Sequence, residues 1–238
     1  MPELHSTAQI SPLDRAFFSR DPRRVARELL GKVLVRREAD ALLTARIVTG
    51  RIVEVEAYLG AKDLAAHSAA GKTLRNAVLF GPPGYAYVYF IYGNHYCLNV
   101  SCEPEGQAGG VLFRALEPLS GIEAMALARG LEIQESKNEP SRIKELIRLT
   151  SGPGRLCEAF GIDRARDNGC DLTSRASSLW IGEDGYRASR IRVTARIGIT
   201  KAAEHPLRYF LAGNPFVSGR KAGGAPDSRG AAARKSPL

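Results

Sequence analysis

No stretch of this 238-residue chain approaches the roughly 18 to 20 uninterrupted apolar residues that a membrane-spanning helix needs. The leading segment MPELHSTAQISPLDR also lacks the apolar core of a signal peptide. These absences exclude a helical membrane protein and set the expectation of a soluble cytosolic one. Cys97, Cys102, Cys157 and Cys170 form no C-x-x-C pair, and no histidine stands at zinc-ligand spacing from them. Neither a metal site nor a redox dithiol is signalled, and four reduced, mostly packed thiols are expected. Ser151-Gly-Pro-Gly154 lacks the lysine and spacing of a nucleotide-binding P-loop, and no internal repeat is present.

What is there is a chain with 44% hydrophobic residues, enough for a real core in one large domain or two small ones. Lysine plus arginine number 34 against 25 acidic residues, a net charge of +9 that favours a polyanionic partner. Part of that charge is local. Residues 219–238 hold Arg220, Lys221, Arg229, Arg234 and Lys235 against Asp227, which leaves the body of the chain only mildly basic. Residues 1–10 read as a loose lead-in, 11–218 as one domain, and 219–238 as a disordered basic tail.

Ser11-Pro12-Leu13-Asp14 reads as a capping box with proline at the first helical position, and Asp21-Pro22 repeats the device before an apolar pattern that Gly31 ends. Strands are expected at 33–35, 42–48 and 51–58, then at 85–92, 96–101, 111–116, 190–197 and 207–211. Ser120-Gly121-Ile122-Glu123 suggests another capping box before a helix closed by Gly130, and 141–149 a further helix. Short strands mixed with capped helices, without regular alternation, predict a mixed α/β (α+β) domain around an antiparallel sheet.

In Arg51-Ile-Val-Glu-Val-Glu-Ala-Tyr58 the alternation puts Glu54, Glu56 and Tyr58 on one face and Val53, Val55 and Ala57 on the other. Two glutamates on a solvated strand face are unremarkable by themselves. A turn after Tyr58 returning His67 toward them would create a pair able to hold one water, although a lone histidine is more often structural. The run from Tyr85 to Tyr96 concentrates Tyr85, Tyr87, Tyr89 and Tyr92, with Gly93-Asn94-His95 as turn chemistry between two strands. It suits a core strand equally with a stacking pocket for a flat base and a wedge at a hairpin tip. Arg114 interrupts the apolar strand 110–116 and needs an acidic, carbonyl or phosphate partner. Ser151-Gly-Pro-Gly154 could cup an anion, a weak signal.

Taken together, Ala26-Arg-Glu-Leu-Leu-Gly-Lys-Val-Leu-Val35, Arg51 to Gly60, Tyr87-Val-Tyr-Phe-Ile-Tyr-Gly93, Leu112-Phe-Arg-Ala-Leu-Glu-Pro118, Ser151-Gly-Pro153 and Pro206-Leu-Arg-Tyr-Phe210 resemble the alkyladenine (3-methyladenine) DNA glycosylase family. These ordered blocks extend over about 11–218. The resemblance implies a single domain with a curved antiparallel sheet, flanking helices and a protruding β-hairpin. It also implies excision of alkylated or deaminated purines from duplex DNA, with neither metal nor organic cofactor, by a monomer. Glu56 rather than Glu54 then matches the general base, His67 a residue that helps hold the water and lines the pocket, and Arg114 an arginine near the nucleophilic water. Tyr58 and Tyr89 match the aromatic walls, Asn99 a residue restricting which purines enter, and Tyr92 the intercalating residue. Neither the lead-in nor the tail is part of the likeness. A non-catalytic binder of damaged DNA with this fold, or a nucleoside or glycan hydrolase, are the competing readings.

Overall fold

The computed structural model describes residues 9–39, 45–91, 93–133 and 138–219. In chain order these residues form β1 (Ser11–Pro12), α1 (Arg15–Phe18), α2 (Pro22–Leu29), β2 (Val33–Ala39), β3 (Ala45–Tyr58), β4 (Ala86–Ile91), β5 (His95–Cys102) and β6 (Gly109–Ser120). They continue with α3 (Ile122–Ala128), α4 (Glu139–Thr150), α5 (Pro153–Ala159), α6 (Arg164–Asp167), β7 (Leu179–Glu183), β8 (Ile191–Thr194) and β9 (Arg208–Leu211).

β3 organises the rest. Its first half pairs with β2 and its second half with β9 along one edge, while β6 runs along the other. The sheet order is β1-β7-β2-β3-β6-β5-β4 with β9 and β8 branching from β3, and every pairing is antiparallel. Register irregularities between Ile52 and Val55 bend the β3–β6 pair, and the sheet curls into a half-barrel. The expected mixed α/β domain with a curved antiparallel sheet is therefore present. Val53, Val55 and Ala57 join Val25, Ala26 and Leu29 of α2, Phe113 of β6 and Phe160 in one core.

Two expected strands, 42–48 and 51–58, are one continuous strand from Ala45, with 42–44 outside the described residues. Gly50 does not turn. It lies where a Cβ would stand 3.1 Å from both Leu116 and Phe160, so it permits close packing in mid-strand. Ser11-Pro12 is a strand paired with β7, and Asp14, not Ser11, caps α1 by accepting the Phe17 amide. The Asp21-Pro22 cap holds, Asp21 accepting the Arg23 amide. Ser120 does not cap α3; its hydroxyl is 2.7 Å from that of Thr49, and Gly121 enters the helix with φ of 74°. The strand expected over 190–197 stops at Thr194. β7 and α6 carried no recognised sequence signal; β7 is buried between β1 and β2.

At the far end of β3 the chain turns at Gly60, whose φ is 68° and where a Cβ would lie 2.0 Å from the Ala108 carbonyl oxygen. Gly60→Ala should therefore lower stability by more than about 1 kcal/mol. The urea unfolding midpoint checks this, and an unchanged midpoint would mean that the turn relaxes freely.

Candidate active site

β3 carries Glu54, Glu56 and Tyr58 at alternate positions, and both glutamates are wholly buried. That removes the reading of a solvated face, because buried carboxylates persist only with partners. Glu54 accepts from Arg208 Nε at 2.6 Å, the Ser218 amide at 2.6 Å and Arg114 Nε at 3.3 Å. It is enclosed on all these sides. In Glu56, Oε1 accepts the Ile197 amide at 2.8 Å and lies 3.2 Å from Arg114 Nη1, while the Tyr58 hydroxyl donates to Oε2 at 3.0 Å. Arg114, whose partner the sequence left open, thus spans both carboxylates.

Glu56 also faces space. It lines a chamber of about 340 Å³ with Arg114, Cys97, His95 and residues 152–155 at the start of α5. An adjoining chamber of about 230 Å³ is lined by His67, Tyr87, Asn99 and Ser68. Tyr58, Tyr89, Ile91, Gly198 and Ile199 line both and join them. Glu54 lines neither. The Ser151-Gly-Pro-Gly154 segment thus reaches the site as wall.

His67 sits against Tyr89, ring centres 4.4 Å apart, and its Nδ1 is 2.9 Å from the Tyr87 hydroxyl. It makes no hydrogen bond with Glu56; the turn after Tyr58 carries it to the aromatic chamber instead. Burial and the nearby Arg75 charge pull its pKa below 6.5, which keeps the imidazole neutral at pH 7. Burial, then the Glu56 charge, raise the Tyr58 phenol well above its ordinary value of 10, so Tyr58 stays a hydrogen-bond donor. Tyr89 is raised chiefly by burial. Asn99 lies opposite Tyr87 across the β4–β5 hairpin and donates to the Tyr87 carbonyl at 3.3 Å. Of the three alternating tyrosines, Tyr87 and Tyr89 are neighbours at 5.5 Å, whereas Tyr85 lies under the Arg15 guanidinium. Tyr92 lies outside the described residues.

Sequence reasoning placed Tyr87 in a run suited to a core strand or a stacking pocket without singling it out as a pocket residue, and it missed the segment that closes the site from 196 onward. Arg196 is fully buried and makes a bidentate pair with Asp63, at 2.5 and 2.9 Å, while its guanidinium stands 4.6 Å over the Tyr58 ring. Burial opposes the charge on Asp63, but Arg196 and the Leu59 and Ala65 amides outweigh it and hold the carboxyl below its ordinary 3.8. This pair fixes the segment whose next amide, from Ile197, holds Glu56. No sequence signal marked Arg196: it falls in the polar register of the alternating run 190–197, unlike Arg114, which interrupts an apolar one.

The four cysteines are unpaired, and among the described residues no cluster of three or more His, Cys, Asp or Glu is placed to hold a metal ion. No helix among them is long and apolar enough to cross a membrane.

A family model for methylpurine-DNA glycosylase matches residues 16–215, which include every side chain of both chambers. The chain belongs to the methylpurine-DNA glycosylase family. A protein of Koribacter versatilis, provisionally named a 3-methyladenine DNA glycosylase, is 64% identical over 216 residues, covering 91% of this chain and 97% of its own. Proteins with the same provisional name from Alkaliphilus oremlandii and Rhodopseudomonas palustris are 45% and 47% identical, covering 87% of this chain and 98% and 90% of their own. In this methylpurine-DNA glycosylase family member the chamber that Glu56 borders and the aromatic chamber adjoin through shared wall residues.

Asp63→Asn would leave the Arg196 charge buried without its counter-charge and lower stability by about 3–5 kcal/mol. Chemical denaturation of both proteins at pH 7 checks this; a loss under about 1 kcal/mol would mean that the pair does not hold the segment. In the parent protein the same interaction is present above pH 3.8 and lost as acid protonates Asp63 below it.

Proposed function

We propose that the protein is a DNA repair glycosylase that extrudes a damaged purine from duplex DNA and hydrolyses its bond to deoxyribose with water activated by Glu56, leaving an abasic site. The observation that carries this reading is the division of labour on β3: Glu54 is enclosed by protein donors, whereas Glu56, two residues on, opens into a chamber walled by Tyr58 and Tyr89.

Cleavage of an N-glycosidic bond passes through an oxocarbenium-like sugar. It needs a base for the attacking water and negative charge near the developing cation, and Glu56 supplies both by the logic of an inverting glycosidase. Arg114 and the Ile197 amide hold Oε1, and Tyr58 holds Oε2, so the carboxylate is oriented before substrate arrives. The base stacks in the aromatic chamber between Tyr58 and Tyr89, with neutral His67 beside it and Asn99 limiting what enters. An alkylated purine carries positive charge, gains about 1–2 kcal/mol from aromatic faces when desolvated, and leaves as a neutral base. The substrate class is 3-methyladenine by this charge argument, and flat deaminated or etheno purines such as hypoxanthine and ethenoadenine by stacking alone, the latter neutral bases taking a proton from water on the ring as they leave. Ile91 pairs with His95 across a turn in which Gly93 has φ of 77°. Tyr92, which lies outside the described residues, is the proposed wedge that fills the vacated stack and offsets part of the few kcal/mol that extrusion costs.

Duplexes carrying one hypoxanthine, and DNA carrying N3-methyladenine, test this directly. Wild type should yield alkali-labile sites at the lesion, and Glu56→Gln should slow single-turnover excision by about 10²- to 10⁴-fold. Full activity in Glu56→Gln would displace Glu56 from its role, and no product from either substrate with wild type would favour a non-catalytic binder. Among the described residues no lysine lines either chamber, so excision should be hydrolytic without strand scission; a covalent enzyme–DNA adduct trapped by borohydride would overturn that.

A further inference from the structure

Between Asp63 and Glu103 the sequence contains no acidic residue, and this acid-free segment supplies His67, Tyr87, Tyr89 and Asn99 to the aromatic chamber. It also carries the loop Gly71-Lys72-Thr73-Leu74-Arg75. The loop is fastened from beneath by buried Asn76, whose Nδ2 donates to the His67 carbonyl at 2.9 Å and to the Gly71 carbonyl at 3.0 Å, while its Oδ1 accepts the Thr73 amide at 2.6 Å. The Thr73 hydroxyl accepts the Asn76 amide in return. Arg75 places its guanidinium 5.9 Å over the Tyr89 ring. The loop is thus anchored to one wall of the chamber and leans over another.

At its crest Leu74 is 100% exposed. A single exposed leucine is ordinary on a protein surface. Here it stands on a loop with its own internal hydrogen bonds, between Lys72 and Arg75, neither of which forms an ion pair among the described residues. Cations flanking an apolar tip suit a duplex, whose phosphates take the charges and whose base stack takes the tip. A pre-ordered loop also loses little entropy on binding.

We propose that the Gly71–Arg75 loop is a second DNA-engaging element, in which Leu74 presses as an apolar wedge into the stack beside the extruded nucleotide and Lys72 and Arg75 bind the adjacent phosphates. The identity of the ligand as duplex DNA rests on the glycosylase reading. The wedge acts where a stacked duplex must open, so its removal affects duplex binding more than single-strand binding.

The test uses the full chain and a duplex with a central tetrahydrofuran abasic analogue, alongside the same oligonucleotide single-stranded. Leu74→Ser should lower the ratio of duplex to single-strand affinity by about tenfold, and Leu74→Met should restore it. Its thermal unfolding midpoint should match that of wild type, since Leu74 buries no surface. A ratio equal to that of wild type overturns the proposal, as does a loss proportional on both strands. Failure of the glycosylase reading is distinguishable: it appears as no abasic product from wild type on lesion-bearing DNA, while the affinity ratio still reports on the wedge.

Discussion

The structure depends on a cluster of four charges, three of them buried and the fourth, on Arg208, nearly so. Glu54 and Glu56 on β3 face Arg114 on β6 and Arg208 on β9, so the three strands that meet at the site are tied by the groups that would otherwise be least tolerable inside it. A buried pair of this kind gives little net stability compared with apolar residues of the same shape, yet breaking it is costly. Its contribution is geometric. With Arg114 shared between the two carboxylates and amides from Ile197 and Ser218 completing their shells, neither acid can swing away from its place. Two chemically identical side chains, two residues apart, are thereby given different surroundings.

The second layer of support is aromatic. Tyr58 has Arg196 on one side and the chamber on another, while Tyr89 touches His67 and Tyr87. The walls of the cavity are thus propped from behind by charged and polar partners rather than by the sheet alone. Arg36 plays a related part at a distance: fully buried, it donates to Asp167 at 2.7 Å and to the Phe160 carbonyl at 3.0 Å, joining β2 to the helices that cover the sheet.

Much of this was legible in the sequence because alternation is a local property. Glu54, Glu56 and Tyr58 are assigned to one face by counting alone, and an arginine in an apolar strand announces that a partner exists without saying which. What could not be read is what closes the face. Whether two glutamates on a strand meet water or protein is decided by residues 196 to 218, more than a hundred positions away, and no periodicity in β3 encodes that. Gly50 illustrates the same limit. A glycine between two apolar runs reads as a turn by propensity, but the close approach of Leu116 and Phe160 across the sheet is a tertiary fact. Ser120 and Ser11 fail as helix caps for a comparable reason, since Thr49 and the pairing of β1 with β7 offer their segments other partners. Asp14 and Asp21, with nothing competing, behave as local chemistry dictates.

The lateness of the closing segment has a consequence for the order of assembly. The ribosome delivers β3 well before Ile197, Arg208 and Ser218, so for that interval a nascent chain carries Glu54 and Glu56 without three of their partners. Until those residues emerge, the desolvation of two carboxylates opposes docking of this half of the sheet. The same late residues that complete the shells of the two carboxylates thus also close the cavity, so the shape of the site and the pairing of β3 with β9 rest on shared contacts.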